Sequence, residues 1–213
     1  MRNAKLVLAT CAAALALSAA VTTAASAATA GWMVNGTSLT GSAAFASTAA
    51  VENSMKLEVK NSFTILCKGT VFKAAGAELV APNKIKATSL EFTECQGTTE
   101  QCRLEDEAIR TVPIVAEAVL EGSLAVRSTL KPQTKTVIAT VDFVGEACAF
   151  KGVTPITGSV LVLSPTAQDE RITQQSIVAA TEASGELKVG GSGALADVTG
   201  STRLASGLPW SFL

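Results

Sequence analysis

The segment Met55-Lys-Leu-Glu-Val-Lys60 alternates apolar with charged side chains, and the segment Ser62-Phe-Thr-Ile-Leu-Cys-Lys68 resumes the alternation after Asn61. In a β-strand, successive side chains point to opposite faces, so a period of two is typical of a strand with one buried face. The two segments therefore predict consecutive strands, and they indicate the fold class of the whole chain.

The same alternation of apolar and polar residues is found in other segments of the chain. Segment 137–144 is largely apolar on both faces, which predicts a central strand that is covered on two sides. The other predicted strands are 85–92, 109–115, 118–127, 156–163, 172–180, 185–189 and 202–205. We therefore expect more than about 40% of the mature chain in strands, with little helix.

The turn residues agree with this pattern. A type I′ turn needs a positive φ at both central residues, and Asn35-Gly36 supplies it, so residues 31–40 predict a hairpin. Residues 101–108 lack an apolar face, which predicts a short turn and not a structural helix. Many strands separated by turns predict an all-β, mostly antiparallel β-sandwich, with a small β-barrel as the alternative.

The first thirty residues have the pattern of a secretory signal peptide. Arg2 and Lys5 precede an apolar run over 6–21 and a stretch of small residues over 25–30. Cleavage is predicted after Ala27 or Ala30, and residues 31–213 are expected to form a single β domain. No later segment has the ~18 consecutive apolar residues of a membrane helix, so we expect a secreted, extracellular protein with no integral membrane segment.

Composition favours a globular protein and disfavours nucleic acid as a partner. Hydrophobic residues make up 48% of the chain and charged residues only 16%, which is unlike a disordered protein. Loss of Arg2 and Lys5 with the leader would leave 15 of the 17 basic residues against 18 acidic residues. No basic stripe is present to bind phosphates.

The chain contains no histidine and no tyrosine. This excludes a Ser-His-Asp triad, a Cys-His nucleophile and a histidine-ligated metal. The carboxylate cluster Glu105-Asp106-Glu107 is interpreted as a solvated loop, and Glu91 and Glu94 are given the same interpretation. We therefore assign no catalytic, cofactor-binding or metal-ligating residue, expect no cofactor, and predict that the protein is not an enzyme.

Four cysteines remain after the leader, at positions Cys67, Cys95, Cys102 and Cys148, and four cysteines allow three pairings. Export would place them in an oxidising compartment, where disulfides persist. The favoured pairing joins Cys95 to Cys102 across a polar turn and Cys67 to Cys148 between distant strands. The alternative pairing joins Cys67 to Cys95 and Cys102 to Cys148.

Two further features have structural interpretations. Gly190-Gly-Ser-Gly193 precedes Ala-Leu and not Lys followed by Ser or Thr, so it predicts a loop between strands and not a phosphate-binding loop. Trp32 and Trp210, near the two ends of the expected mature chain, are predicted to pack in the core.

Over most of the mature length the sequence resembles a group of exported proteins from soil actinobacteria. The motifs that carry the resemblance are cysteines and turns: Gly31-Trp-Met-Val-Asn-Gly-Thr-Ser-Leu39, Leu66-Cys-Lys-Gly69, Leu90-Glu-Phe-Thr-Glu-Cys95, Thr111-Val-Pro-Ile114, Gly145-Glu-Ala-Cys148 and Ile156-Thr-Gly-Ser-Val160. The resemblance implies secretion and an all-β fold, and it implies no activity.

These observations predict a secreted, non-catalytic extracellular or envelope protein with a binding or structural role. An envelope or extracellular protein is the expected kind of partner. One alternative is a carrier that holds a small apolar ligand inside the β structure, and another is a carboxylate-dependent glycan hydrolase. A deep apolar cavity would favour the carrier, whereas a closed polar surface would favour a binding module.

Overall fold

A computed structural model describes residues 30–46, 54–72, 76–97, 99, 101–121, 125–164, 167–179 and 186–213. The predicted signal peptide, apart from Ala30, lies outside the described residues.

The described chain forms nineteen strands, and every pairing between them is antiparallel. The strands are β1 (Trp32–Val34), β2 (Thr37–Ser38), β3 (Ser42–Ala44), β4 (Ser54–Val59), β5 (Thr64–Phe72), β6 (Ala77–Val80), β7 (Lys84–Ala87), β8 (Leu90–Gly97), β9 (Arg103–Leu104), β10 (Ala108–Thr111), β11 (Ile114–Glu121), β12 (Ala125–Pro132), β13 (Val137–Val144), β14 (Gly152–Thr157), β15 (Val160–Ser164), β16 (Gln174–Ala179), β17 (Lys188–Val189), β18 (Ser192–Arg203) and β19 (Trp210–Phe212). The prediction that strands dominate is confirmed.

Eight strands close into a barrel-like ring. Their order is β17, β14, β13, β10, β8, β5, β4 and β18, and the pairing of β17 with β18 completes the ring. The short strand β9 pairs with the end of β13. Within this ring, β4 and β5 are the two strands that the opening segment predicts, and Met55, Leu57 and Val59 are buried while the residues between them are exposed.

The outer strands form a second circuit that shares β18. From β18 the pairing continues through β16, β15, β12, β11, β7, β6 and β3. The chain after β3 then returns to β18, because Phe45 bridges Leu204 and the Ala46 amide donates to the Arg203 carbonyl at 2.8 Å. The all-β, antiparallel, disulfide-linked fold is thus confirmed, and its eight-strand ring has the barrel-like form that the sequence left as an alternative.

A separate three-stranded sheet, in the order β19, β1 and β2, joins the two ends of the described chain. The predicted hairpin is present, with positive φ angles of 50° at Asn35 and 71° at Gly36. Trp32 and Trp210 pack edge to face with ring centroids 5.7 Å apart, and both are buried. Their predicted place in the core is confirmed.

Several predicted strands are divided by turns. Segments 85–92, 118–127 and 156–163 each contain parts of two strands, and segment 109–115 is divided at Pro113, which has no N–H for a ladder bond. Only the first two residues of segment 202–205 belong to β18, which ends at Arg203, whereas β16 and β17 lie within 172–180 and 185–189. The prediction that 137–144 is covered on both faces is wrong, because Thr140 and Asp142 are exposed.

The favoured disulfide pairing is wrong, and the alternative pairing is present. Strands β5 and β8 are hydrogen-bonded neighbours with Cys67 directly opposite Cys95, and these two residues form one disulfide. Cys102 lies beside β9, which pairs with the end of β13, and it is bonded to Cys148 in the segment after β13. The prediction failed because β5 and β8 are neighbours in the sheet. This pairing brings Cys95 opposite Cys67 and not next to Cys102.

Candidate functional site

An apolar cavity of about 150 Å³ lies among the strands of both circuits. It is lined by buried and half-buried side chains of both circuits, together with part of β18 and the two tryptophans of the terminal sheet. The lining residues are Trp32, Phe45, Met55, Leu57, Ile85, Ala87, Leu90, Phe92, Ile109, Thr111, Ile114, Ala116, Ser128, Leu130, Ile138, Ala139, Ile156, Val160, Val162, Ser164, Ile177, Leu187, Ala196, Val198, Thr199, Gly200, Ser201, Thr202 and Trp210.

Small side chains at inward positions explain why space remains inside the sheet. Ala87, Ala116, Ala139 and Ala196 are all buried and all line the cavity. A leucine or isoleucine at such a position would extend several atoms further inward, and protein interiors otherwise contain few voids larger than a water molecule. The cavity is therefore encoded by four alanines on four different strands, β7, β11, β13 and β18.

The cavity follows β18 at the place where the two circuits separate. Strand β4 pairs with β18 as far as Thr199, and the next described contacts on that side are the hydrogen bond from the Ala46 amide to the Arg203 carbonyl and the bridge between Phe45 and Leu204. Strand β16 begins its pairing on the other side at Thr199. Five consecutive residues of the β18 region, 198–202, line the cavity instead of alternate ones.

Several buried polar side chains lie where β16, β18 and the terminal sheet meet. The Thr202 hydroxyl and the indole Nε1 of Trp210 are buried without a hydrogen-bond partner among the described residues, and both residues line the cavity. Gln175 connects them: its backbone lies opposite Thr202 in the β16–β18 ladder, and its Nε2 donates to the Trp210 carbonyl at 2.6 Å. The Gln175 Oε1 and the Ser211 hydroxyl are likewise buried and unpartnered within the described chain.

None of the described residues that line the cavity has a charged side chain. The ion pairs that shift pKa values lie at the surface. The pKa of Arg110 is raised, chiefly by its hydrogen bond to Glu91 at 2.7 Å. The pKa of Asp169 is lowered, first by a hydrogen bond from the backbone amide of Arg171 and then by its guanidinium group. The described lining is thus neutral as well as apolar.

The carboxylates singled out in the sequence do not line the cavity. Glu105, Asp106 and Glu107 are exposed, as their interpretation as a solvated loop requires, and Glu94 is exposed as well. Glu91 is paired with Arg110. Within the described ranges, no group of three or more histidine, cysteine, aspartate or glutamate residues is placed to hold a metal ion.

The glycine-rich segment 190–193 contains a turn between strands. Gly190 and Gly191 form the turn between β17 and β18, as predicted, and both have positive φ angles. A second, more open depression lies beside Thr157, Gly158, Glu186 and Lys188, and two of these four described residues are charged.

Sequence reasoning missed Thr202, Gln175 and the four cavity alanines. Alanine is common at buried positions, and a threonine in a strand is ordinary. The sequence therefore carried no signal that Thr202 and the four alanines line one cavity or that Gln175 lies opposite Thr202, because both depend on which strands become neighbours.

No helix of the described residues is long and apolar enough to cross a membrane. No protein-family model, curated protein or solved structure matches this chain.

Proposed function

We propose that this protein is a secreted carrier that binds a small apolar ligand in the cavity between its two circuits of strands. The observation that carries the proposal is a space of about 150 Å³ whose described lining residues are predominantly apolar and carry no charge. Ligand sites are typically concave and apolar, with a few polar groups that fix orientation, and this cavity has that composition. This function is the carrier alternative that the sequence left open. It is a non-catalytic binding role, with the ligand bound inside the β structure.

The volume indicates the size of the ligand. A cavity of about 150 Å³ lined by leucine, isoleucine and phenylalanine stays free of water and accepts benzene in another protein. The comparable volume here supports a ligand of one small ring or an equivalent short chain. A drug-sized ligand would need roughly 300 Å³ or more.

Export is the second part of the proposal. The pattern of residues 1–30 supports it, and the two disulfides are compatible with an oxidising compartment. We expect exported protein to begin at Ala28 or Gly31, which an intact-mass measurement would show. A mass that retains the leader would contradict this part of the proposal.

Binding in the cavity can be tested with benzene as the probe. At ten times its dissociation constant, a ligand that binds only the folded state stabilises it by about 1.4 kcal/mol. For a chain of this length we expect a rise in melting temperature of roughly 3–6 °C. Differential scanning calorimetry with and without benzene measures the shift.

A cavity-filling variant supplies the matched comparison. Ala116→Leu would place three further carbon atoms in the cavity, so it should abolish the benzene shift while stabilising the free protein by about 1 kcal/mol. Val119→Leu on the outward face of the same strand, where Val119 is 40% exposed, should leave the benzene shift unchanged. Equal benzene shifts in Ala116→Leu and the unmodified protein would contradict binding in this cavity.

A further inference from the structure

We propose that Asn35 is a site of spontaneous chemical modification, at which the side-chain amide is converted to a mixture of aspartate and isoaspartate in the folded protein. The turn Asn35-Gly36 is exposed, and the carrier function makes no use of it. The only co-reactant is water. This inference is independent of the carrier function, so either proposal can fail without the other.

The reaction begins with an attack on the side chain of Asn35 by the backbone nitrogen of Gly36. A bond forms between this nitrogen and Cγ of Asn35, the bond from Cγ to Nδ2 breaks, and Nδ2 leaves as ammonia with the proton that the nitrogen gives up. Water then opens the resulting succinimide ring. Opening at Cγ gives aspartate, whereas opening at the backbone carbonyl gives isoaspartate, in which the main chain runs through Cβ and Cγ. Nothing is oxidised or reduced.

Gly36 presents its nitrogen without obstruction. It has no side chain, and the nearest heavy atom to a Cβ placed on it would be Oε2 of Glu170, at 4.0 Å. Its N–H has no hydrogen-bond acceptor among the described residues, and the Asn35 side chain has no hydrogen-bond partner among them. Both reacting groups are therefore exposed to solvent and held by no described contact.

The turn at Asn61 shows what holds the same reaction back elsewhere. Asn61 is exposed and also has a positive φ, of 59°. The next residue is Ser62, whose backbone amide donates to the Val59 carbonyl at 3.0 Å. This nitrogen would have to give up its hydrogen bond before it could attack. The Ser62 side chain also crowds the approach, which a glycine leaves open.

Asn83 is held by its side chain instead. Its Nδ2 donates to Oε1 of Glu117 and to the Ala118 carbonyl, both at 3.3 Å. Among the three asparagines in the described ranges, Asn35 is therefore the one whose side chain and following N–H are both without a described hydrogen bond, and the one that precedes a glycine.

Ring closure requires Asn35 to leave its left-handed conformation, so the turn has to open locally. Strand β2 pairs with β1 through only two residues, Thr37 and Ser38, and both are exposed. Segments with few buried contacts open at a free energy well below that of global unfolding. When β2 separates, the pairing of β1 with β19 is not broken. The reaction therefore does not require the protein to unfold.

The two products differ in their effect on the hairpin. Asp-Gly is itself a favoured type I′ sequence, so aspartate leaves the turn intact. Isoaspartate adds one atom to the main chain between β1 and β2, so the two-residue turn no longer fits the register that places Val34 opposite Thr37. We expect isoaspartate to lower the melting temperature by a few degrees, whereas Asn35→Asp should melt like the unmodified protein.

The test follows the folded, oxidised mature protein during storage at mildly alkaline pH. Tandem mass spectrometry of its peptides locates each asparagine that shows the mass change of an amide-to-acid exchange, and an enzymatic assay measures ammonia. We expect Asn35 to be modified first, as two isomers, at a rate that rises in proportion to hydroxide concentration. Asn35→Gly, which keeps a Gly-Gly turn, should not release this ammonia. An Asn35 that stays intact while another described asparagine reacts would overturn the proposal.

Ser62→Gly is the matched control, because it places a glycine after Asn61 and retains the amide that donates to Val59. In the folded variant Asn61 should react about tenfold more slowly than Asn35, the factor that one hydrogen bond accounts for. In the same variant, unfolded in denaturant with its disulfides reduced, the two asparagines should react at similar rates. Equal rates in the folded variant would show that the sequence alone decides, and the inference from the structure would be wrong.

Discussion

Replacement of both Cys67 and Cys95 by alanine is expected to lower the free energy of unfolding by roughly 3.5 kcal/mol. The disulfide closes a separation of 28 residues, and the chain-entropy estimate for a loop of this length gives that magnitude. For a protein of this size the melting temperature should fall by roughly 10 °C. Denaturant titration and calorimetry of the oxidised proteins measure the two quantities.

The companion variant removes Cys102 and Cys148, whose separation is 46 residues. The same estimate gives about 4 kcal/mol, so the two double variants should be destabilised nearly equally. A disulfide between Cys95 and Cys102 would instead close a short loop and contribute only about 2.5 kcal/mol.

A thiol titration tests the connectivity directly. The mature Cys67→Ala, Cys95→Ala protein should contain no free thiol, because its remaining cysteines are bonded to each other. Peptide mapping of the unmodified protein without reduction should release a fragment that links Cys67 to Cys95. A fragment linking Cys95 to Cys102 would show that the connectivity described above is incorrect.

The sequence predicted best those strands and turns that are determined by residues adjacent in the sequence. In β4 the burial alternates residue by residue from Met55 to Val59, as the charged and apolar side chains require. The Asn35-Gly36 turn is also local, since two adjacent residues supply both positive φ angles. Gly158, with a φ of 102°, ends β14 within the predicted segment 156–163, so the apolar pattern alone placed one strand where two are present.

Connectivity and the cavity depend on contacts between distant parts of the chain. Cys95 pairs with Cys67 because β8 lies beside β5, and no local pattern specifies that neighbour. Ala87 and Ala196 face the same space although more than a hundred positions separate them in the sequence. The group of buried polar side chains likewise needs β16, β18 and β19 to meet, because Gln175 lies opposite Thr202 in the ladder and donates to the Trp210 carbonyl.

Trp32→Ala is expected to have an effect on stability as large as the loss of a disulfide. Trp32 is 2% exposed, its ring lies 4.7 Å from that of Phe212, and its Nε1 donates to the Lys84 carbonyl. Truncation of a buried tryptophan typically costs about 3–5 kcal/mol. The melting temperature should fall by roughly 10–15 °C. The melting temperature of Trp32→Phe, which retains an aromatic ring, should fall by less.

Phe143→Ala is the control that separates stability from binding. Phe143 is 1% exposed and packs against Phe63 with ring centroids 5.0 Å apart, so its truncation should be about as destabilising. Phe143 does not line the cavity, whereas Trp32 does. The two variants should therefore differ in the ligands they accept while being destabilised to a similar extent.

Naphthalene tests that difference, because its second ring makes it larger than the benzene that a cavity of about 150 Å³ accepts. Removal of the Trp32 indole enlarges the cavity, so naphthalene should raise the melting temperature of Trp32→Ala and leave Phe143→Ala and the unmodified protein unchanged. Stabilisation of all three proteins by naphthalene would place its binding site elsewhere. Stabilisation of Trp32→Ala alone would identify the terminal sheet as the wall that limits ligand size, since Trp32 contributes to the cavity from β1.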